Sequence, residues 1–395
     1  MQTSARKKIA LWQPYFLGGG AEAVALWTLQ ALLEDYDVTL HTLSPVDFGW
    51  LDKMYCTQLA DKSIHVQAQL PNWWASSSAD FLLSNNQQTR VALIYWSIRC
   101  FKQVAHQYDV AFSTFNALDM GVAGMQYLHW VHVLERYPDQ AKPLQNLLMK
   151  WTHFSHEQLA ENFSIANSQF TADRVEKAYG IKSQVVFPPV TTEIVSQPWE
   201  QKENAFLCSG RIVEAKQTHR AITILRAIRD KGFDVKLHIT GGGGGVYANG
   251  YVRKVQKLAR ENADWVFLHQ NLAYQDYLKV VASCRYGIHY KPEPFGISIA
   301  EMLKADMIPF VRSVGGQVEI VGAENAAILF ANEPEAIERI ANVLRNEALQ
   351  VDLRRSLHQR KQLFSTERFM DEIRSKVDQY LSAGADLSPL PLSSQ

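Results

Sequence analysis

Short apolar runs alternate with longer segments of helical period along almost the whole chain. KIALWQ (8–13) reads as a buried strand, GGGAE as the turn after it, and AVALWTLQALLEDY (23–36) as an amphipathic helix. DVTLHTL (37–43) is a second strand, so strand, glycine turn, helix and strand open a doubly wound α/β domain. TRVALIYWSIRCFKQVAHQY (89–108) continues as helix. DVAFST (109–114), QYLHWV (126–131), SIANS (164–168) and SQVVFPPV (183–190) continue as strands.

From Phe187-Pro188-Pro189 through TTEIVSQPWEQKEN, prolines and polar residues replace the periodic pattern, which marks a boundary. A second α/β unit then runs from strand AFLCSGRIV (205–213) and helix THRAITILRAIRDKGF to strand RYGIHY (285–290), helix ISIAEMLKA and strand MIPFVRS. STERFMDEIRSKVDQYLSAG reads as a closing amphipathic helix and DLSPLPLSSQ as a floppy tail. The expected division is 1–190, 191–365, a helix over 366–386 packing back toward the first domain, and a tail over 387–395. Two Rossmann-like domains joined by a proline-rich hinge are expected to face each other across a cleft, with ligands at the carboxyl ends of the strands.

Composition narrows the function. The 395 residues suffice for two or three cores. Lys+Arg and Asp+Glu each number 40, and a neutral chain argues against a dedicated nucleic-acid binder. Cys56, Cys100, Cys208 and Cys284 form no CxxC pair, which disfavours a disulfide framework or zinc knuckle and suits a reducing compartment. The N-terminal MQTSARKKIALWQPYF has no signal-peptide core, and no run approaches the roughly 18 apolar residues of a membrane span. These features predict a cytoplasmic protein. LPNWWASSS and ALIYWSIRCFK set aromatics beside Arg99 and Lys102. They read either as core or as a peripheral contact with the cytoplasmic face of a membrane.

The most informative stretch is HYKPEPFGISIAEML (289–303), with Glu293 and Glu301 on either side of a Pro-Phe-Gly turn. The helix predicted to start near Gly296 leaves the amides of Phe295, Gly296 and Ile297 pointing at an anion. Gly296 admits a close approach. Glu301, a turn further in, suits the vicinal hydroxyls of a ribose, and Glu293 suits hydroxyls on the other side of the phosphates. A sugar, a diphosphate and a nucleoside in a row fit that arrangement.

E-P-F-G-x-x-x-x-E resembles the E-x7-E signature of glycosyltransferase family 4, retaining enzymes of the GT-B fold. SGRIVEAKQTHRAI (209–222) is similar to the family's G-R-x-x-x-x-K turn, IANSQFTADRV (165–175) to its last N-terminal strand and helix, MIPFVRSVGGQVEIV (307–321) to its next strand and glycine turn, and GGGAEAVA (18–25) to its first loop. The form of 307–321 resembles the branch near mannosyltransferases that extend lipid-linked oligosaccharides. The resemblance implies transfer of a sugar from a nucleoside-diphosphate sugar, GDP-mannose before a UDP-sugar, to a hydroxyl of a glycan or lipid-linked acceptor. It implies front-face chemistry in which the leaving phosphate takes the acceptor's proton. Glu293 would position the sugar, Glu301 the ribose, and Arg211 and Lys216 the diphosphate, with Gly19 and Gly20 near the phosphates. His129 is similar to the family's histidine beside the transferred sugar. Neither a metal nor another cofactor is expected.

Each assignment has a plainer competitor. Arg211 and Lys216 would otherwise be solvated helix-start residues, and His129 a satisfied core histidine. The pairs His129/His132 and His153/His156 lack a completing cysteine or carboxylate for zinc. Asp35-Tyr36-Asp37, a DxD, ends a helix rather than a strand. GGGAEA is out of register with GxGxxG and the second strand lacks a ribose-binding acid, against a nicotinamide oxidoreductase. The five-glycine run at 241–245 lacks GK[ST], against an ATPase, and reads as a turn or a close backbone approach. A nonenzymatic nucleotide-sugar sensor or scaffold on the same fold stays as the alternative. Asp306 stands where the family's helix ends in glycine, a position aspartate tolerates because it enters the left-handed region more readily than most residues.

Overall fold

The computed structural model describes residues 6–70, 87–130, 143–190, 197–242 and 249–383. The chain forms two compact units, one of residues 1–189 with 366–395, the other of residues 190–365.

The first unit is built on a parallel sheet of seven strands: β1 (Lys8–Trp12), β2 (Asp37–Thr42), β3 (His65–Ala68), β4 (Val110–Ser113), β5 (Met125–Leu128), β6 (Phe163–Ala166) and β7 (Ser183–Val185). Their order is β3-β2-β1-β4-β5-β6-β7, so the winding reverses between β1 and β4. The central strands are mostly apolar because both faces are covered, and β4 and β5 are buried at every position, Ser113 and Gln126 included. The edge strand β3 is exposed at three of its four positions. Helix α1 (Gly20–Leu32) is buried nearly all round. It lies in the core with Ile9 and Leu40, and α14 (Thr366–Ala383) packs on it through Phe369, Ile373 and Val377. Spacing of four residues puts those three side chains on one helix face. Between these elements come α2 (Phe48–Tyr55), α3 (Gln87–Val104), α4 (Pro143–Trp151), α5 (His156–Ala160) and α6 (Gln169–Tyr179). Ser168 caps α6 by accepting from the Thr171 amide.

The second unit has a six-stranded parallel sheet: β8 (Glu203–Ser209), β9 (Lys236–Thr240), β10 (Val266–His269), β11 (Cys284–His289), β12 (Ile308–Arg312) and β13 (Leu329–Phe330), in the order β10-β9-β8-β11-β12-β13. Winding reverses between β8 and β11, which pair at Phe206 and Tyr286. Helices α7 (Thr218–Asp230), α8 (Asn249–Arg260), α9 (Tyr274–Ser283), α10 (Ile297–Lys304), α11 (Gln317–Val321), α12 (Glu333–Arg345) and α13 (Glu347–Arg360) connect and cover the strands. Helix α7 buries Ala221, Ile222, Leu225 and Ile228, the apolar stripe of its sequence. Asp306, after α10, has φ 57°. Aspartate therefore makes the left-handed stop that glycine usually makes, and its carboxylate is bonded by Lys361.

Lys202 is an exception to the apolar interior. It is 4% exposed, and its ammonium donates to the carbonyls of Ala282 (2.7 Å) and Ala305 (2.8 Å), at the carboxyl ends of α9 and α10. Burial pulls its pKa down to about 8.

Candidate functional site

In the second unit the turns after β8 and β11 leave the carboxyl ends of neighbouring strands at the point where winding reverses, the usual ligand position in an open α/β sheet. The first turn carries Arg211 and Lys216, the second Glu293 and Gly296. Close approach of β8 and β9 beyond their ends needs glycine: Gly241 has φ 148°, and a Cβ there would sit 2.0 Å from the Gly210 carbonyl oxygen. That accounts for the first residues of the glycine run; Gly243–Gly245 lie outside the described residues. Residues 214–216 make one 3₁₀ turn before α7. A recess here is lined by Ser209, Gly210, Arg211, Lys216, Thr218, His289 and Tyr290. Arg211 is exposed at its rim. The first amides of α7 are partly committed, since His219 N–H donates to the Tyr251 hydroxyl and Arg220 N–H to the Gln217 carbonyl. The cations therefore carry more of the positive character of this turn than the helix end does.

Glu293 is 8% exposed and surrounded by donors. Lys216 Nζ lies 2.6 Å from Oε1, His289 Nε2 donates to the same oxygen at 3.2 Å, and Lys291 Nζ is 3.6 Å from Oε2. Burial alone would raise its pKa, but the bond from His289 and the charge of Lys216 prevail and hold it down to about 2. His289 is itself buried, which lowers its pKa and keeps the ring a neutral donor. Its strand-end position just before the turn was the only hint of this role in the sequence.

Helix α10 starts at Ile297 after Gly296, whose φ of 114° makes the sharp entry and whose carbonyl accepts from Ile299 and Ala300. Phe295 is buried against Phe364, so its ring faces the core. One turn on, Glu301 Oε2 accepts from Tyr277 at 2.7 Å, and Tyr277 in turn is 3.2 Å from Ser209 Oγ. Burial raises the Glu301 pKa to about 7, against the opposing Tyr277 bond. The two glutamates thus differ sharply: their surroundings favour the ionised form of Glu293 and the protonated form of Glu301. Tyr277 and Ser209 carry no motif that would mark them in the sequence.

The first unit holds the other predicted residues. Gly19 caps α1 and Gly20 begins it. The Gly19 amide donates to the Tyr55 hydroxyl at 2.7 Å, and that hydroxyl donates back to the Gly19 carbonyl. The N–H of Gly19, a residue expected near the phosphates, is therefore already engaged. His129 follows β5 and is 6% exposed. Its Nε2 donates to the Thr114 carbonyl at 2.7 Å, and its amide and carbonyl bond Asn116 and Asn167. Burial lowers its pKa to about 4, leaving a neutral ring with Nδ1 as acceptor. Asp35, Tyr36 and Asp37 lie at the amino-terminal end of β2, and Tyr36 bonds Asp378 of α14. In α3, Tyr95 and Phe101 are core, Arg99 stacks on Trp151 and Lys102 pairs with Asp119. Trp73, Trp74 and His132 lie outside the described residues.

Residues 190–362 match the family model for glycosyl transferases, group 1. The match covers the second unit and with it the recess, Glu293 and Glu301. A comparison with curated proteins gives no match. Among solved structures, Anabaena HepE in complex with UDP and glucose is similar over 94% of this chain and 100% of its own, at 14% identity and a TM-score of 0.67. Sucrose-phosphate synthase from Thermosynechococcus elongatus is similar over 96% and 100%, at 15% identity and a TM-score of 0.65. WaaG, a glycosyltransferase involved in lipopolysaccharide biosynthesis, is similar over 92% and 99%, at 16% identity and a TM-score of 0.62. Likeness at this identity is likeness of fold, and the fold is GT-B.

Proposed function

We propose that this chain is a retaining, metal-independent glycosyltransferase of the family 4 type that uses a nucleoside-diphosphate sugar. The observation that carries the reading is the convergence of Lys216 and Glu293, from two separate motifs, at 2.6 Å beside the recess. Lys216 and Arg211 would neutralise the leaving diphosphate, with the first amides of α10 around Phe295, Gly296 and Ile297 as further donors. Glu301 would accept from the ribose and Glu293 from the sugar. The bond between the anomeric carbon and the diphosphate oxygen breaks, the acceptor oxygen bonds to the same face of that carbon, and the acceptor's proton passes to the departing phosphate. Gly19, Gly20 and His129 are proposed, on the resemblance alone, as further donor contacts.

The donor proposed from the sequence is GDP-mannose, with a UDP-sugar as the competitor; the UDP bound in the HepE structure makes that comparison worth running first. A thermal-shift series with GDP and UDP reads the base, since specific binding raises the melting temperature by mass action. Release of nucleoside diphosphate with a glycan or lipid-linked acceptor then separates an enzyme from a sensor. Binding without turnover under any acceptor would sink the catalytic reading. Among the described residues no helix is long and apolar enough to cross a membrane. Peripheral contact is proposed through α4, where Leu147 is 64% and Trp151 41% exposed beside Lys150, and cosedimentation with anionic vesicles tests it.

A further inference from the structure

Loop 291–294 reads Lys-Pro-Glu-Pro, and its two prolines have no N–H to donate. It belongs to no strand or helix, yet Glu293 within it is buried. Its backbone partners come from the start of α11, Gly316 at its cap and Gln317 at its first position. The Gln317 side chain accepts from the Glu293 amide at 2.6 Å and donates to the Lys291 carbonyl at 3.2 Å. The Gly316 amide donates to the Glu293 carbonyl at 2.8 Å. Both backbone groups of Glu293 are thus bonded to two consecutive residues. Gln317 is fully buried, where an amide is tolerated only if hydrogen-bonded. Its two bonds straddle Pro292.

The glycines before it make this approach feasible. Gly315 has φ 110°, and a Cβ on it would lie 2.7 Å from the Glu293 carbonyl oxygen. A Cβ on Gly316 would lie 2.0 Å from the Pro294 carbonyl oxygen. Backbone on backbone leaves no flexible atom to give way.

We propose that Gln317 is a positioning residue, which fixes the 291–294 loop so that the Glu293 carboxylate meets Lys216 and His289. The inference deepens the proposed function and rests on it for its catalytic consequence. Its structural part stands alone, because the Lys216–Glu293 contact exists without substrate. Both side-chain hydrogen bonds of Gln317 go to the 291–294 loop and none to Arg211 or Lys216, so turnover rather than nucleotide affinity is expected to depend on it.

Gln317→Leu keeps the volume and removes both bonds. With the donor that the thermal-shift series selects, turnover is expected to fall about thirtyfold or more while nucleoside-diphosphate affinity changes less than threefold. A turnover within threefold of the parent, or an affinity that falls in step with it, overturns the proposal. A melting-temperature cycle with Lys216→Ala supplies a readout that needs no activity. Lys216→Ala should lower the melting temperature at least twice as much in the parent as in Gln317→Leu; additive losses overturn the positioning role. Should Gln317→Leu not fold, Gln317→Asn, one methylene short, carries the same comparisons. A parent chain that binds neither GDP nor UDP counts against the functional reading, and the cycle then decides the role of Gln317 by itself.

Discussion

Lys216 Nζ and Glu293 Oε1 lie 2.6 Å apart although 77 residues separate them in the chain. The contact exists because β8 and β11 are neighbours at the reversal of the winding, so the turns that follow them meet. Replacing Lys216 by alanine removes a fixed cation from the proposed diphosphate site. Turnover is expected to fall roughly 10²- to 10³-fold, the usual cost of one preorganised donor. Steady-state assays on Lys216→Ala check this, with circular dichroism to confirm the fold, and near-normal turnover would count heavily against the assignment.

Glu301 gives a pH signature. Its folded pKa of about 7 is raised from 4.5, so the folded state holds a proton that the unfolded chain releases. Stability from this group is therefore present below pH 4.5 and lost as pH rises through 7. Glu301→Gln should be more stable than the parent at pH 8 by roughly 1–3 kcal/mol, and no different at pH 4. Urea titrations at the two pH values test it. In the same variant the proposed ribose contact weakens, so nucleoside-diphosphate affinity should fall about tenfold at pH 8.

Acid should destabilise the first unit. Burial lowers His129 to about 4 and His41 to about 4, both from 6.5. Depressed pKa values mean stability that is present above pH 6.5 and disappears as pH falls through 4. Each histidine contributes on the order of 3 kcal/mol over that window. His41→Leu should flatten the slope of unfolding free energy against pH between 6.5 and 4, and an unchanged slope would refute the assignment of the loss to this ring.

The ammonium of Lys202 caps two helices at once. Methionine at this position keeps the stem but leaves both carbonyls without that donor, at a cost of about 2–3 kcal/mol. Chemical denaturation of Lys202→Met measures it. Because α9 carries Tyr277 and α10 carries Glu301, the same variant should also weaken nucleoside-diphosphate binding.

What the sequence disclosed followed the physics of covered parallel strands. KIALWQ, DVAFST and RYGIHY are apolar runs because both faces of β1, β4 and β11 are packed, and runs of that kind are legible without neighbours. The helix α2 and strand β3 were not foreseen. The former is eight residues long with Gly49 inside it, and His65–Ala68 sits at a sheet edge where exposure erases the pattern. At the site, the glutamates and cations were visible through turn chemistry and motif spacing. Gln317, Tyr277 and Ser209 were not, since each acts through a partner brought close only by the fold, whereas His289 stands four residues before Glu293 and only its strand-end position hinted at its role. Asp306 was legible for a local reason, its tolerance of positive φ.

Helix α14 gives the first unit its final face, with Phe369, Ile373 and Val377 at 1%, 0% and 0% exposure. Burying three such side chains contributes roughly 5–9 kcal/mol, comparable to the whole stability of a domain. Synthesis runs from the amino terminus, so α1 waits on the ribosome for more than three hundred residues before its cover emerges. The later unit, whose 176 residues are contiguous from Val190 to Ser365, can complete itself during that delay. The unit encoded second is thus able to close before the unit encoded first.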